Sequence, residues 1–174
     1  MVFTLIGMPG SGKSCMGRAV SAKMKLQLID SDKLIEQKFG KKLQTVLDEL
    51  GVVEFRRVEE ETLMEIKAPE GKHLILSTGG SAVYSKAAMD YLRTQGKVIY
   101  LYCSCDTIIE RIKNPDDRGI VLKPGQTLTD LYYERTPLYE ASADITVSCD
   151  GKAYPRYQRA LIDAISSAIA EENK

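Results

Sequence analysis

Short apolar runs alternate along the chain with longer segments in which apolar residues recur at spacings of three and four. The runs occupy residues 2–6, 26–29, 74–77, 98–102 and 145–147. One of the spaced segments carries Val46, Leu47, Leu50 and Val53. Runs of this length predict buried strands, and the spaced pattern predicts helices with one apolar face. Their alternation predicts an α/β domain built on a mostly parallel sheet.

Length and composition favour a single domain over residues 1–174. The chain is 44% hydrophobic and 28% charged, which is typical of a folded protein. Lysine plus arginine equals aspartate plus glutamate, so the basic excess common in nucleic-acid-binding proteins is missing. No apolar run approaches the roughly 20 residues that span a bilayer. We therefore expect neither a nucleic acid nor a membrane as a partner.

The first apolar run, residues 2–6, is short, lacks a basic leader and continues directly into glycines. These features favour a first strand over a signal peptide, and we expect a cytoplasmic protein. A polar interval at residues 114–126 contains Pro and Gly and lies between helical patterns. It predicts a mobile loop rather than a linker between domains.

The four cysteines, Cys15, Cys103, Cys105 and Cys149, are expected to be reduced thiols in that compartment. Cys103 and Cys105 stand two residues apart on an apolar run, so a strand would point them the same way. Zinc usually takes four nitrogen or sulfur ligands, and the single histidine, His73, is distant in sequence. Structural thiols are therefore favoured over a metal site.

The strongest motif is Gly7-Met8-Pro9-Gly10-Ser11-Gly12-Lys13-Ser14, which fits the Walker A pattern G-x-x-x-x-G-K-[ST]. It lies between a predicted strand and a predicted helix, where backbone N–H groups and the helix dipole favour phosphate oxygens. Lys13 would reach the β- and γ-phosphates, and the Ser14 hydroxyl would bind Mg²⁺. A glycine-rich turn that merely connects two elements would not need the full pattern. The residues expected to hold the nucleotide here are Gly10, Ser11, Gly12, Lys13, Ser14 and Cys15.

This loop predicts a nucleoside triphosphate but not its use, because GTPases, ATPases and small-molecule kinases share it. The chain contains no Asn-Lys-x-Asp guanine signature and is short for a motor or a transporter ATPase. Both observations favour a small kinase.

Two carboxylates follow the second apolar run, in Asp30-Ser31-Asp32. Ligands of parallel α/β sheets gather at the carboxyl ends of the strands. Asp30 could therefore hold Mg²⁺ through water, and Asp32 could bind and polarise an acceptor hydroxyl. Alternatively, Ser31 or Asp32 caps the helix that follows. The residues alone leave both interpretations open.

Arginines and glycines form the next cluster. Arg56 and Arg57 lie in a helical pattern, and Gly79 and Gly80 follow a predicted strand. A guanidinium is a bidentate partner for a carboxylate, although charged helical residues usually face solvent. Paired glycines let a ligand approach the backbone closely, although a plain tight turn would also use them.

Taken in order, these motifs resemble the shikimate kinase family over nearly the whole chain. The family pattern is a Walker loop, Asp-x-Asp, Ile-Glu, Phe-Arg-x-x-Glu, a glycine triplet, a lid arginine and Arg-x-Pro-Leu-Tyr. The matching segments are residues 7–14, Asp30-Ser31-Asp32, Ile35-Glu36, Phe55-Arg56 with Glu59, Gly79-Gly80-Ser81, Arg118 and Arg135-Thr136-Pro137-Leu138-Tyr139. Several motifs in the right order are more specific than any one of them.

The resemblance implies a nucleoside-monophosphate-kinase-like fold, a three-layer αβα domain with a five-stranded parallel sheet and a mobile lid. It places a substrate-binding helical segment at about residues 31–67 and the lid at about 112–126. The implied reaction is transfer of the γ-phosphate of ATP, with Mg²⁺, to a small hydroxy acid. Shikimate is the expected acceptor, which would place the enzyme in aromatic amino acid biosynthesis. Such small kinases usually close around their substrate as single subunits, which implies a monomer.

The resemblance also implies roles for individual residues. Those expected to be catalytic are Lys13, Asp32 and Arg118. Those expected to bind the acceptor are Asp32, Arg56, Gly79, Gly80, Ser81 and Arg135, with the two arginines on its carboxylate. Arg118 would close over the phosphates from the lid with Arg111 nearby, and Ser14 and Asp30 would hold the metal. By chain order, residues 150–155 are the candidate for the adenine contact.

Two departures from the family pattern bear on the acceptor. Ser81 stands where the family has a third glycine, and Arg118-Gly119-Ile120-Val121 replaces the Arg-Pro-Leu-Leu of the lid. A kinase of the same fold that acts on gluconate, homoserine or threonine is therefore an alternative. A nucleotide-binding regulator without catalysis is a second alternative, disfavoured by the metal-site residues and Arg118. A nucleoside triphosphatase without an acceptor is a third.

Overall fold

The structure, a computed structural model, describes residues 1–113, 120–151 and 153–172. The strands are β1 (Val2–Ile6), β2 (Gln27–Asp30), β3 (Leu74–Ser77), β4 (Gly96–Tyr102) and β5 (Ile145–Ser148). The helices are α1 (Lys13–Met24), α2 (Ser31–Phe39), α3 (Leu43–Met64), α4 (Lys86–Gln95), α5 (Cys105–Arg111), α6 (Leu128–Ser142) and α7 (Tyr154–Glu172). A short 3-10 helix covers Ala82–Tyr84.

The five strands form one parallel sheet in the order β2-β3-β1-β4-β5. β1 and β3 are buried along their whole length, as is typical of parallel strands covered on both faces. Each apolar run noted in the sequence forms a strand, and the bounds differ by at most two residues. The expected five-stranded parallel sheet is therefore confirmed.

Helices cover both faces of the sheet. The connection through α1 leads from β1 toward one edge, whereas the connection through α4 leads from β3 toward the other. Right-handed crossovers then place these two helices on opposite faces. α7 contacts α1, and α3 contacts α4. The result is the three-layer αβα arrangement, and the carboxyl ends of all strands meet at one edge. No helix among the described residues is long and apolar enough to cross a membrane.

A second, smaller apolar cluster lies between α2 and α3. Its buried members are Ile35, Val46, Leu47, Phe55 and Val58. Val46 and Leu47 confirm the predicted apolar face of α3, but Val53 is 86% exposed, so the prediction was wrong there. The backbone at Gly51 leaves the helical region (φ 75°, ψ 165°). The helical periodicity is therefore interrupted there, and the residues after Gly51 turn a different face toward the cluster between α2 and α3.

The predicted lid, about residues 112–126, falls partly outside the described residues, and so does Arg118. Its described second part, residues 120–126, is called the lid segment below. Ile120 and Leu122 pack against the main core, and Val121 packs against the cluster between α2 and α3. The lid segment therefore crosses the space between the two apolar clusters.

The prediction that Cys103 and Cys105 share a strand was wrong. β4 ends at Tyr102, and Ser104 caps α5, in which Cys105 is the first residue. Cys103 and Cys149 are buried, and each thiol lies against a backbone carbonyl oxygen. All four cysteines are free thiols.

Candidate active site

The loop between β1 and α1 wraps around the N-terminus of that helix. Gly12 precedes the helix in a left-handed conformation (φ 99°, ψ 12°), which residues with a side chain adopt only at a cost. The N–H of Ser11 donates to the Met8 carbonyl (3.1 Å) and closes the loop on itself. The Ser11 hydroxyl is buried and has no hydrogen-bond partner within the described part of the chain. The N–H groups of the first helical turn lack partners within the helix and are available to an anion.

The Lys13 side chain is buried inside this loop. Its ammonium donates to the carbonyl oxygens of Gly7 (2.7 Å) and Met8 (3.0 Å). Burial lowers the pKa of Lys13 to about 8, although the carboxylates of Asp32 and Asp30 oppose the shift. The ammonium is thus desolvated and fixed within reach of an anion bound at the helix N-terminus.

Three oxygen-bearing side chains meet beside the loop, at the ends of β2 and β3. The Ser14 hydroxyl donates to Asp30 Oδ2 (3.0 Å) and lies 3.2 Å from the hydroxyl of Ser77. Hydroxyl and carboxylate oxygens are the hard ligands that Mg²⁺ prefers. The arrangement therefore fits a magnesium ion that takes its remaining ligands from phosphates and water. No cluster of three or more His, Cys, Asp or Glu residues suited to a metal occurs within the described ranges.

The other oxygen of Asp30 caps α2. Its Oδ1 accepts the N–H groups of Asp32 (3.1 Å) and Lys33 (3.4 Å). The alternative that Ser31 or Asp32 caps this helix was therefore wrong. The Ser31 hydroxyl instead accepts the N–H of Gly79 (3.2 Å), which ties the start of α2 to the loop after β3. The Asp32 side chain is left free to face the cavity beside that loop.

A cavity of about 410 Å³ opens between the phosphate loop, α3 and the lid segment. Predicted site residues that line it are Gly10, Gly12, Lys13, Ser14, Cys15, Asp32, Arg56, Gly79, Gly80, Ser81 and Arg135. Apolar side chains that complete its wall are Leu43, Leu47, Val52, Phe55, Ile120 and Val121. The structure thus brings residues predicted from five separate motifs into one space. Ser11, Asp30 and Arg111 are not part of that lining.

Two carboxyl groups converge over the backbone of Gly79. A Cβ atom on this glycine would lie 2.5 Å from Glu59 Oε1 and 2.8 Å from Asp32 Oδ1, so a side chain cannot fit. Burial, together with the nearby charge of Asp30, raises the pKa of Asp32 to about 6. Burial also raises the pKa of Glu59 to about 7, against the opposing hydrogen bond that the Ser81 hydroxyl donates (2.9 Å).

At the end of the cavity that includes Gly80, two arginines lie near the ring of one tyrosine. The guanidinium carbon of Arg56 lies 4.1 Å from the ring centroid of Tyr84, and that of Arg135 lies 5.2 Å from it. Arg135 is buried, whereas Arg56 is exposed. The hydroxyl of Tyr139 donates to the Gly80 carbonyl (2.7 Å) and fixes the glycine loop beside Arg135. This end of the site carries positive charge that an acid would offset.

Arg111, the last residue of α5, does not line the cavity. Its guanidinium donates to the carbonyls of Cys149 (2.8 Å) and Gly151 (3.1 Å), and to that of Gly10 (3.4 Å). It therefore joins the phosphate loop to the segment after β5. That segment contains the predicted adenine contact, and the hydroxyl of Tyr154 within it lies 3.6 Å from Cys15 Sγ.

Two residues of the site were missed as functional candidates. Glu59 follows Arg56 by three positions on one helix, a spacing that places both side chains on the same face and could have indicated a shared site. Tyr84 carried no signal, because a short 3-10 helix after the glycine loop brings it to the arginines.

A parallel sheet, a Walker loop at a helix N-terminus and a charged cavity that begins at this loop define a P-loop phosphotransferase. The family model described as "Shikimate kinase" matches residues 9–170. The chain belongs to the shikimate kinase family. It is a kinase that uses ATP as co-substrate and an alcohol as acceptor.

Individual relatives agree with this assignment. The chain is 38% identical to the shikimate kinase of Pseudomonas aeruginosa (strain LESB58) over 148 residues, which cover 84% of this chain and 85% of that protein. It is 34% identical to the shikimate kinase of Sulfurihydrogenibium sp. (strain YO3AOP1) over 85% of this chain and 87% of that protein. The shikimate kinase of Acinetobacter baumannii in complex with shikimate superimposes with a TM-score of 0.84 at 30% identity, covering 95% and 93% of the two chains.

Proposed function

We propose that this protein transfers the γ-phosphate of ATP to shikimate and yields shikimate 3-phosphate for aromatic amino acid biosynthesis. The observation that carries the proposal is that carboxyl groups and guanidinium groups line one cavity. Asp32 and Glu59 lie over Gly79. Arg135 Nη1 would lie 3.1 Å from a Cβ atom on Gly80, and Arg56 lines the same cavity. A small hydroxy acid matches this arrangement, because its carboxylate offsets the arginines and its hydroxyls meet the carboxyl groups. The relative from Acinetobacter baumannii, whose structure contains shikimate, supports this acceptor.

At the nucleotide end, Lys13 would leave the loop carbonyls and bind the β- and γ-phosphates. The backbone of Gly10, Ser11 and Gly12 and the first turn of α1 would hold the remaining phosphate oxygens. Mg²⁺, when bound by Ser14 and Asp30, would neutralise charge on the phosphates. Arg118 from the predicted lid, with Arg111 nearby, would add positive charge during transfer.

At the acceptor end, Arg56 and Arg135 would bind the carboxylate, and Asp32 would orient the hydroxyl that is phosphorylated. A pKa of about 6 leaves Asp32 mostly ionised at neutral pH, so that it accepts a hydrogen bond from that hydroxyl and takes its proton late in the transfer. Gly79 and Gly80 would let the acceptor lie against their backbone. The lid segment would exclude water, so that the phosphoryl group reaches the acceptor.

A second acceptor deserves a test because Ser81 replaces a family glycine. Its hydroxyl lines the cavity but donates to Glu59, so it is already occupied within the protein. Ser81 therefore adds bulk to the cavity wall but no unpaired donor for an acceptor. A kinase for gluconate, homoserine or threonine is the alternative that Ser81 and the Ile120-Val121 part of the lid support.

The experiment is a coupled assay of phosphorylation rates with shikimate, gluconate, homoserine and threonine as acceptors, together with a blank without acceptor. We expect the highest kcat/KM for shikimate and little hydrolysis in the blank. A higher kcat/KM for another acid would replace shikimate as the substrate. Hydrolysis that no acceptor changes would indicate a nucleoside triphosphatase.

We further propose that the enzyme acts as a cytoplasmic monomer with residues 31–67 as its acceptor-binding helical part. One subunit supplies both charged ends of the cavity, so a partner is not needed to complete it. Light scattering coupled to size exclusion should give the mass of a single 19.3 kDa chain.

A further inference from the structure

Tyr84 lies beside the acceptor cavity without lining it, yet it contacts both arginines at the cavity's end. The Arg56 guanidinium carbon lies 4.1 Å from the ring centroid, and that of Arg135 lies 5.2 Å from it. The negative face of an aromatic ring attracts a guanidinium. A single ring therefore holds two like charges in the same neighbourhood before any acceptor arrives.

The hydroxyl of Tyr84 extends this arrangement toward α6. It accepts a hydrogen bond from Arg135 Nε (3.2 Å) and donates to Glu134 Oε1 (2.6 Å). Glu134 precedes Arg135 on the helix, so one helical turn supplies both groups that hold the hydroxyl. The direction of each hydrogen bond is fixed, since a guanidinium only donates and a carboxylate only accepts.

The second oxygen of Glu134 faces the lid segment. Glu134 Oε2 accepts from Lys123 Nζ (3.1 Å) and from Gln126 Nε2 (2.8 Å). These hydrogen bonds and that of Tyr84 lower the pKa of Glu134 to about 2. The same segment places Ile120 and Val121 over the cavity. An unbroken series of contacts thus runs from the lid segment through Glu134 and Tyr84 to the two arginines.

We propose that Tyr84 is a positioning residue for the two arginines that bind the acceptor's carboxylate. Glu134 makes the binding of that carboxylate depend on the lid segment. The proposal rests on the proposed function, in which the two arginines bind that carboxylate. The attraction of the ring for both guanidiniums offsets their mutual repulsion. It therefore keeps Arg56 and Arg135 close enough to share one carboxylate. The hydroxyl sets the orientation of Arg135, and Glu134 links that orientation to the placement of residues 120–126.

The two parts of the proposal are separated by three variants. Tyr84→Leu removes the ring and the hydroxyl, and Tyr84→Phe restores the ring alone. Glu134→Gln keeps an acceptor for the Tyr84 hydroxyl but weakens the contacts with Lys123 and Gln126. Tyr133→Leu is the matched control, because Tyr133 lies next to Glu134 on α6, is 66% exposed and does not line the cavity.

Each variant is assayed with shikimate and ATP, and shikimate binding is measured by calorimetry with and without a non-hydrolysable ATP analogue. We expect Tyr84→Leu to raise the KM for shikimate about five- to thirtyfold and to change the KM for ATP less than about twofold. Tyr84→Phe should recover most of that loss. Without nucleotide, Glu134→Gln should bind shikimate with nearly the affinity of the parent protein. The factor by which the ATP analogue increases shikimate affinity should be at least about threefold smaller in this variant than in the parent. Tyr133→Leu should match the parent protein.

An unchanged KM for shikimate in a folded Tyr84→Leu variant would overturn the positioning role. A nucleotide enhancement that is absent in the parent protein, or unchanged in Glu134→Gln, would overturn the link to the lid segment. If Tyr84→Leu does not fold, as judged by its Tm, the phenylalanine and glutamine variants decide, and wild-type behaviour in both overturns the proposal. A parent protein that phosphorylates no shikimate contradicts the proposed function instead, and the assay distinguishes these results.

Discussion

The two ends of the cavity are built in different ways. The nucleotide end, comprising the phosphate loop and Ser14 with Asp30, comes from consecutive residues and one neighbouring strand end. The acceptor end, comprising Asp32, Arg56, Glu59, the glycine loop and Arg135, gathers residues from four separate elements. Under the proposed function, the groups that bind the phosphates are thus encoded locally, whereas acceptor recognition depends on how distant elements pack. Substitutions at the first end should stop the reaction, and those at the second should change its selectivity.

Electrostatics distinguish the same two ends. At the nucleotide end, burial lowers the pKa of Lys13 to about 8, although loop carbonyls already satisfy its ammonium. At the acceptor end, burial raises the pKa values of Asp32 and Glu59, and two arginines share a single ring. Lys13, Asp32, Glu59 and Arg135 are thus desolvated before a ligand binds, which strengthens electrostatic recognition, whereas Arg56 is still exposed.

The largest effect is expected from Lys13→Ala. The variant removes a buried cation that would bind the transferring phosphate, and loss of one such stabilising group costs about 10²–10³ in kcat. The fold should persist, since the loop backbone closes through its own hydrogen bond from Ser11 to Met8. A coupled assay measures the rate, and circular dichroism checks the fold.

The matched control for this variant is Lys23→Ala in the last turn of the same helix, where the side chain is exposed. It should leave kcat within about twofold, as surface substitutions usually do. Near-normal turnover of a folded Lys13→Ala variant would contradict the assignment of the nucleotide end.

The next largest effect is expected from Arg56→Ala and falls on one substrate only. Arg56 is exposed in the unliganded protein, so its charge pair with the carboxylate is desolvated only in the complex, where loss of one partner costs on the order of 2–5 kcal/mol of binding. We therefore expect the KM for the acceptor to rise tens-fold or more and the KM for ATP to stay nearly unchanged. Steady-state kinetics with each substrate varied in turn measure both constants.

Arg57→Ala is the matched control, because the neighbouring arginine is exposed and pairs with Glu54 and Glu61 on the helix surface. Its kinetic constants should stay near those of the parent protein. The assignment of the acceptor end fails if Arg56→Ala weakens ATP and acceptor equally, or if a neutral polyol is the better substrate.

Much of the fold was predictable because parallel strands form continuous apolar runs, and all five runs became strands. The position of the Walker loop at the N-terminus of α1 was predictable as well, because its residues follow one another along the chain. Val53 was misplaced because a single glycine with a non-helical backbone interrupts the periodicity of α3. Tyr84 could not be found, since only tertiary packing brings its ring to Arg56 and Arg135. Sequence motifs therefore predict which reactive groups are present better than they predict the packing contacts that position those groups.

The two carboxyl groups of the acceptor end should give activity and stability opposite responses to pH. Protonation of Asp32, whose pKa is about 6, removes the hydrogen-bond acceptor for the substrate hydroxyl, so kcat/KM should fall below about pH 6. Raised pKa values mean that the folded state binds more protons than the unfolded state between about pH 4 and pH 7. The free energy of unfolding should therefore fall as pH rises through this window. Glu134, whose pKa is about 2 in the folded state, contributes stability that is lost as pH falls from about 5 toward 2, so it opposes this trend only at the acid edge of the window.

Glu59→Gln isolates the stability part of this prediction, because it removes one of the two groups that lose protons. At pH 8 its Tm should exceed that of the parent protein, by roughly 2–4 °C for each kcal/mol recovered. Glu65→Gln, at an exposed position just beyond α3, is the control and should leave Tm unchanged. Stability that rises steadily from pH 5 to pH 7 in the unliganded protein would contradict the raised pKa values. Calorimetric scans across this range provide the measurement.

The smallest effect is expected at Ser81, which lines the cavity and contacts Glu59. Its hydroxyl donates to Glu59, and this hydrogen bond opposes the rise in the pKa of that carboxyl. Without the donor, the pKa of Glu59 should rise further. The cavity would also widen where the family has glycine. Ser81→Ala separates the two consequences, because it removes the donor and keeps the Cβ atom.

If Ser81 replaces the family glycine without selecting the acceptor, Ser81→Gly should leave kcat/KM for shikimate similar or raise it. Loss of one neutral hydrogen bond is worth about 1 kcal/mol, so the change should stay within about fivefold. Ser81→Ala should then resemble the glycine variant, since the donor rather than the bulk would matter. If Ser81 instead selects a different acid, only the glycine variant should shift preference toward shikimate, because only glycine lets the acceptor approach the backbone. Ratios of kcat/KM across the four acceptors, measured for both variants, distinguish the two roles.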